Sequence, residues 1–345
     1  MAECPPTPLL WYNDRMTNWH SSEELALLAV KRKAMNDDFE VVFARRDFPQ
    51  GTEAALDALD EVERIEQQLS LFRFDSRIHY VNLTAHETAV RLDKELFDLI
   101  ALCIQLAEET GGAVDITSGA LWKAWGFAKR QGRIPNAEEL EHAKAHTGYH
   151  LLELNESAQT IRFNKQGIEL NFGCVGKGFA LDMAAEKLRE HGVHRFLFQG
   201  GLSSVLISGA DWRIGIANPL RPDERLRELV LSDVAVSTSG SQKQFFRHQG
   251  RRYSHLIDPR SGEPAEGVLT ATVMAPTATL AELLSTAFFV LGAERAAEYC
   301  SRHPDVSAVL TISAENPPVL RTGTLTPLEN FCMVEWGKHL QEPFP

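Results

Sequence analysis

The stretch LNFGCVGKGFALD, residues 170–182, decides the fold because it predicts a strand end, a glycine-rich turn and a helix start. Leu170 and Phe172 flank polar Asn171, a period of two that is typical of a half-buried strand. Three glycines let backbone amides approach a ligand closely, and a helix N-terminus attracts anions. The turn is therefore either a phosphate site beside Lys177 or an ordinary strand-to-helix turn. Its spacing matches neither a P-loop nor a dinucleotide fingerprint, so both interpretations stay open.

Composition limits the function classes. The 345 residues are 44% hydrophobic, enough for one large domain or two closely packed ones. A formal charge of -12 argues against a broad basic surface for nucleic acid. No apolar run is long enough to span a membrane, and the first residues do not resemble a signal peptide. The five scattered cysteines favour a reducing compartment, so we expect a cytoplasmic protein.

The remaining chain alternates strand and helix patterns without a fixed repeat, which predicts a mixed α/β fold. Residues 1–34 are expected to be peripheral, with a short helix near residues 23–33. Helices are predicted at 52–71 (with Thr52 as N-cap), 93–110, 136–144 and 279–291. A further helix follows the glycine-rich turn, runs through Ala180, Ala184 and Leu188, and is expected to stop at Gly192. Strands are predicted at 39–44, 196–208 (two strands about a Gly-Gly turn), 212–218, 234–246 and 269–275. A polar loop is expected at 237–241, and connectors at 72–82 and 253–267.

Four polar clusters compete for a chemical role, and each has an ordinary structural explanation in isolation. The first two are Asp115 with Thr117, read alone as a helix cap, and the polar loop 237–241. The third holds His255 and the fourth Glu282, Ser285 and Thr286. Glu282 and Thr286 are four residues apart and share a helix face, where their oxygens suit a magnesium ion.

Taken together and in order, the motifs resemble the ApbE family, the FAD:protein FMN transferases. The resembling segments are DITSGALWKAWGF (115–127), LNFGCVGKGFALD (170–182), VSTSGSQKQFF (236–246), YSHLIDPRSGEP (253–264) and TLAELLSTAFFVLG (279–292). The resemblance runs from about Met35 to Gly292 and implies an ApbE-like domain over residues 35–335, followed by a tail over 336–345. Five ordered motifs are far more specific than any one of them.

The resemblance implies a magnesium-dependent transfer of FMN from FAD to a Ser or Thr hydroxyl of an acceptor flavoprotein, with release of AMP. It implies His255 and Lys177 as catalytic residues. It implies FAD contacts at Met35, Phe72, Ala113, Val114, Asp115, Asn171, Lys177, His255, Leu256 and Ile257. It implies a metal site made by the Cys174 carbonyl, Glu282, Ser285 and Thr286.

Two departures from the family pattern keep alternatives open. Asn171 stands where the family usually has Asp, and Glu282 replaces the usual metal-binding Asp with a side chain one methylene longer. Magnesium demands near-ideal octahedral geometry, so a non-catalytic FAD-binding protein and a magnesium-dependent FAD pyrophosphatase remain alternatives. A nucleophile built from Cys174 and His255 is a further hypothesis, against which a small buried cysteine is favoured.

Overall fold

The computed structural model describes residues 10–12, 27–129, 131–241, 244–314, 322–328 and 330–340. Its strands are β1 Leu10–Tyr12, β2 Leu27–Ala34, β3 Asp37–Ala44, β4 Val90–Arg91, β5 Leu152–Asn155, β6 Thr160–Phe163, β7 Phe196–Gly200, β8 Ser204–Ser208, β9 Trp212–Ala217, β10 Arg225–Leu231, β11 Val234–Gly240, β12 Phe245–His248, β13 Arg251–Ser254, β14 Val268–Ala275, β15 Ser307–Ser313, β16 Thr324–Pro327 and β17 Phe331–Trp336. Its α-helices are α1 Gly51–Leu69, α2 Arg77–Thr84, α3 Lys94–Glu109, α4 Gly119–Ala124, α5 Ala137–Ala145, α6 Gly176–Glu190, α7 Ala278–Leu291 and α8 Ala293–Arg302.

A nine-stranded antiparallel sheet in the order β16-β17-β15-β14-β11-β8-β7-β3-β2 is the centre of the fold. Alternate side chains along its strands enter two different cores. On β3, Val41 and Phe43 face the helices α1, α6 and α7, whereas Val42 faces a small sheet of β1, β9 and β10. Both faces of these strands are therefore buried, which explains why their sequences are nearly continuous apolar runs.

Helices α6 and α7 cap each other at their N-termini. The Asp182 carboxylate of α6 accepts hydrogen bonds from the backbone N–H groups of Ala278 and Thr279 in α7, both at 2.8 Å. In return, Glu282 of α7 accepts from the N–H of Gly178 in α6 at 2.7 Å. The first N–H groups of a helix have no partner within it, so each helix satisfies donors of the other. This pairing fixes α7 against the glycine-rich turn.

Several predicted elements are confirmed. Strands form at residues 37–44, 196–200, 204–208 and 268–275, and the helices near 93–110 and 136–144 begin after the N-caps Asp93 and Asn136. Gly192 lies just past α6 with φ of 78°, as expected for a residue that follows a helix end. The mixed α and β class is likewise confirmed.

Other local predictions are wrong. The stretch expected to be helical near residues 23–33 forms strand β2 from residue 27 onward, because its backbone pairs antiparallel with β3. Its first residues lie outside the described part. The residue before α1 is Gln50, so Thr52 is not the N-cap. The connector predicted at 72–82 contains helix α2, which Ser76 caps by accepting from the His79 N–H.

Three further corrections concern the site region. Residues 170–172 belong to no strand: Asn82 holds both backbone groups of Leu170, in place of a strand partner. The predicted polar loop at 237–241 is mostly strand β11, since its serines pair with β14 and, at Ser237, with β8. The connector predicted at 253–267 begins inside strand β13, which pairs with β12 as a hairpin.

The close approach of α6 and α7 makes a prediction about glycine. A Cβ at Gly178 would lie 2.3 Å from the Ala278 carbonyl oxygen, a contact that backbone atoms cannot relieve cheaply. We expect Gly178→Ala to destabilise the protein by about 1–3 kcal/mol, since overpacking forces backbone shifts. Urea unfolding followed by circular dichroism measures the change.

Gly176→Ala is the matched control, two residues earlier in the same helix. A Cβ there meets only the Leu69 side chain, at 3.9 Å, and the backbone is not left-handed. Its unfolding free energy should equal that of the wild type or exceed it slightly. Equal losses for both variants would contradict the helix contact as the cause.

Candidate active site

A cavity of about 440 Å³ opens at the N-terminus of α6. Most of the residues that the sequence predicted for the site line it: Met35, Phe72, Asn171, Cys174, Lys177, His255, Leu256, Ile257, Glu282, Ser285 and Thr286. Segments that lie far apart in the chain therefore meet around one space. Three predicted residues, Ala113, Val114 and Asp115, are not among its lining residues.

Glu282 forms the charged floor of the cavity and is only 5% exposed. One carboxylate oxygen accepts from the Gly178 N–H, and the other accepts from the Ser204 hydroxyl at 2.7 Å. The Lys177 ammonium lies 3.4 Å from that second oxygen. A buried charge is tolerated only when it is paired and hydrogen-bonded, and these three groups supply both.

Lys177 keeps its charge at the base of the cavity. Burial opposes that charge, but the carboxylates of Glu282 and Asp37 outweigh it and raise the pKa of Lys177 above its usual value. The ammonium is thus available to an anionic ligand at the start of α6, where the backbone amides also attract negative charge.

Hydroxyl groups extend the floor beside Glu282. The Ser285 hydroxyl donates to the Glu282 carbonyl oxygen of its own helix at 3.0 Å. The Ser239 hydroxyl lies 2.9 Å from that of Ser285 and 3.3 Å from that of Thr286. Strand β11 and helix α7 thereby bring several oxygen atoms together at one side of the cavity.

Asn171 shapes the glycine-rich turn. Its side-chain oxygen accepts from the Gly173 N–H at 2.9 Å, and its own N–H donates to the Ile116 carbonyl at 2.6 Å. An aspartate would accept the same hydrogen bond, so the turn does not require the charge that the family pattern has there.

Met35 and Phe72 line the cavity from two different segments of the chain. Met35 and Asn36 form the two-residue turn between β2 and β3, and both have a left-handed φ, 51° and 61°. Such turns usually contain Asn or Gly, so a methionine there stores strain. Phe72 is 71% exposed in the segment that links α1 to α2.

His255 follows the β12–β13 hairpin, and its orientation identifies its tautomer. Its Nδ1 lies 2.9 Å from the Gln244 carbonyl oxygen, which can only accept a hydrogen bond. Nδ1 must therefore carry a proton, and in the neutral ring Nε2 holds the lone pair. The adjacent Leu256 and Ile257 supply apolar wall, and Ile257 also packs into a small core with Trp125.

Asp115 is buried and does not line the cavity. Its carboxylate accepts from the Thr117 N–H and hydroxyl and from the Tyr149 N–H, at distances of 2.7–2.8 Å. Burial raises its pKa, although these hydrogen bonds oppose the shift. Ala113 and Val114 are also buried, and a neighbour that the motif did not single out, Ser118, lines the cavity instead.

Cys174 is a half-buried thiol in the glycine-rich turn. Burial, and after it the Glu282 carboxylate, raise the pKa of this thiol to about 12. A reactive cysteine needs a depressed pKa because the thiolate is the nucleophile. The environment of Cys174 does the reverse, in agreement with the small buried cysteine that the sequence favoured.

The donor atoms of the floor fit a hard cation. Among the described residues, no three His, Cys, Asp or Glu side chains lie together as a metal cage. One carboxylate and two hydroxyls, on Glu282, Ser285 and Thr286, are all oxygen donors. Magnesium prefers oxygen, keeps several waters and is commonly held by one or two carboxylates together with phosphates of a substrate.

Sequence reasoning missed several residues of the site. Ser204, which holds Glu282, belongs to none of the five motifs. Asp182, which holds α7, ends the motif at residues 170–182, but nothing in that motif indicates its contact with another helix. Other lining residues lie outside the predicted set: Asn36, Glu66, Leu69, Ser70, Leu71, Ser118, Trp122, Phe172, Gly173, Gly176, Ser203, Ser237, Thr238, Ser239, Gly240 and Gln244. The β11 serines that line the cavity, Ser237 and Ser239, lie in the motif at residues 236–246, and that motif is the signal that could have identified them.

Comparison with known proteins identifies the family of this chain. The family model described as the ApbE family matches residues 35–310. The chain belongs to the ApbE family. It is 31% identical to the FAD:protein FMN transferase of Escherichia coli strain K12 over 252 residues, which cover 70% of this chain and 72% of that protein.

A longer alignment and a solved structure extend the similarity. The FAD:protein FMN transferase of Haemophilus influenzae is 27% identical over 318 residues, 88% of this chain and 91% of that protein. The crystal structure of the ApbE protein from Thermotoga maritima superposes with a TM-score of 0.76 at 28% identity, covering 83% of this chain and 94% of that one. The ApbE-like fold expected from the sequence is thereby confirmed. No helix in the described residues has the length and apolarity needed to span a membrane.

The cysteine hypothesis makes a direct prediction. If Cys174 contributes only its backbone carbonyl, Cys174→Ala should retain the flavin chemistry of the wild type, because the carbonyl is unchanged. Initial rates at pH 7.5 measure this, and Cys103→Ala serves as the control for loss of a buried thiol. A loss of activity confined to Cys174→Ala would show that the side chain takes part.

Proposed function

We propose that this chain is a FAD:protein FMN transferase that moves FMN from FAD to a Ser or Thr hydroxyl of an acceptor protein and releases AMP. The observation that carries the proposal is the junction of a helix N-terminus, the Lys177 ammonium and an oxygen-rich floor around Glu282 in one cavity. That combination suits a pyrophosphate with a bound cation, and two relatives within the family are named for this reaction.

In this proposal, FAD lies along the cavity with its pyrophosphate at the start of α6. Lys177 and the backbone amides of the turn bind the phosphates. Met35 and Phe72 flank the flavin or the adenine, while Asn171 and the segment from His255 to Ile257 contact the remainder. Ala113, Val114 and Asp115, which the resemblance implied as contacts, support the wall at which FAD would bind.

The proposed metal is magnesium, held by the Cys174 carbonyl, Glu282, Ser285 and Thr286. When bound, it would neutralise the charge that develops on the phosphate oxygens. Lys177 adds a second positive charge to the same region. The enzyme's own groups thus position the substrate and offset charge, which is the larger part of catalysis in phosphoryl transfer.

The transfer itself exchanges one phosphorus–oxygen bond for another. The acceptor hydroxyl oxygen forms a bond to the FMN phosphorus, and the bond from that phosphorus to the bridging oxygen breaks, so AMP leaves. The proton of the acceptor hydroxyl goes to a base, and we assign this role to His255 Nε2. Lys177 stabilises the negative charge on the departing phosphate.

The acceptor is proposed to be a flavoprotein that presents its Ser or Thr at the mouth of the cavity. The cytoplasm is the proposed compartment, where the free thiols of Cys103, Cys300 and Cys332 would stay reduced.

The function is tested with FAD, magnesium and a panel of candidate acceptor proteins. The proposal expects a fluorescent acceptor band after denaturing electrophoresis and an equal amount of AMP. FMN and AMP without a labelled band would favour the pyrophosphatase alternative. Tight FAD binding with no AMP would favour a non-catalytic FAD-binding protein, the alternative that Asn171 and Glu282 suggest by departing from the family pattern.

The assignment of the base predicts the effect of His255→Asn. The asparagine amide can still donate to the Gln244 carbonyl, but it cannot accept a proton. We expect the transfer rate to fall by about 10²-fold or more, whereas the FAD dissociation constant should rise by a much smaller factor, because His255 is one of several proposed FAD contacts. Single-turnover transfer and fluorescence titration measure the two quantities.

His248→Asn is the control, since His248 is exposed at the far end of β12 in the same hairpin. It should leave both quantities unchanged. A His255→Asn protein that transfers FMN at the wild-type rate would rule out His255 as the base.

A further inference from the structure

Ser204 is the first residue of β8 and is fully buried beneath the cavity floor. Its hydroxyl donates to Glu282 Oε1 at 2.7 Å, whereas Ser203, its neighbour, is the residue that reaches the cavity wall. Ser204 therefore touches Glu282 but not the space that a ligand would fill. Any effect that it has on the site passes through the Glu282 carboxylate.

The two Glu282 oxygens are held in different ways. Oε2 accepts from a backbone N–H, on Gly178, whose position is set by helix α6. Oε1 has only the Ser204 hydroxyl and the Lys177 ammonium as the partners that the structure shows near it. Ser204 donates to one lone-pair direction of Oε1 and the Lys177 ammonium lies 3.4 Å from the same oxygen, so a bound cation would share Oε1 with both groups.

The sheet also fixes the Ser204 hydroxyl itself. Ser204 lies directly opposite Ser237 of β11, and their hydroxyl oxygens are 3.5 Å apart. The Ser237 hydroxyl is in turn 3.4 Å from that of Ser285 on α7. The hydroxyl that holds Glu282 thus belongs to a row of three hydroxyls. The row starts on two adjacent strands of the central sheet and ends on α7 at Ser285, a second proposed metal ligand.

We propose that Ser204 is a positioning residue that orients Glu282 toward the magnesium site; this rests on the proposed function, in which Glu282 binds that ion. Without the hydroxyl, Oε1 retains only Lys177 as a partner. The carboxylate then turns toward the ammonium, whose positive charge competes with a cation for the same oxygen. Hydrogen bonds to metal-binding carboxylates typically change metal affinity by about 10–100-fold.

The test compares Ser204→Ala and Ser204→Cys with the wild type by calorimetric titration of magnesium into FAD-loaded protein. We expect Ser204→Ala to raise the magnesium dissociation constant by about tenfold or more. Ser204→Cys keeps the size of the side chain with a weaker donor and should fall between the two. FAD affinity in EDTA and the thermal midpoint should stay near the wild-type values for both variants.

Ser208→Ala is the matched control, because Ser208 ends the same strand and donates to the His194 carbonyl at 2.8 Å instead. Its magnesium affinity should be unchanged. Wild-type magnesium affinity in Ser204→Ala would overturn the positioning role while leaving the proposed function intact. A joint loss of FAD affinity, thermal stability and magnesium affinity would assign Ser204 a purely structural role and also overturn it. A wild-type protein that binds no magnesium would overturn the metal site, and this inference with it.

Discussion

The reciprocal capping of α6 and α7 is the interaction on which the site depends. Asp182 holds the first turn of α7, and Glu282 holds the first turn of α6, so neither helix can shift alone. Gly178 permits the contact because it has no Cβ. Since α6 carries Lys177 and α7 carries Ser285 and Thr286, the same contact that joins the helices also brings the cation and the oxygen donors together.

Glu282 has both a structural and a proposed chemical role, and both of its carboxylate oxygens have partners in the protein. A carboxylate at 5% exposure is costly unless donors and a cation offset the loss of water. Gly178, Ser204 and Lys177 supply these donors and this cation. The longer Glu side chain reaches the α6 backbone and β8 at once. The departure from the family's usual Asp is therefore matched by partners in this fold.

The sequence predicted the mixed fold and most lining residues because these depend on local patterns and ordered motifs. It failed where distant parts of the chain determine the structure. The local pattern near residues 23–33 predicts a helix, but pairing with β3 decides the conformation of β2 and makes it a strand. The hydrogen bond from the Tyr149 N–H to Asp115 joins residues 34 positions apart, and no local pattern predicts it. Ser204 has no motif, and only the register of β8 against β11 places it beneath α7.

The most direct test of the account is a crystal of the protein soaked with FAD and manganese, an anomalous scatterer that replaces magnesium. The account predicts one anomalous peak bonded to a Glu282 oxygen and a pyrophosphate oxygen, with Gly178 and Ser204 still donating to the same carboxylate. A peak bonded to other side chains, or FAD bound with its pyrophosphate away from the start of α6, would contradict the account.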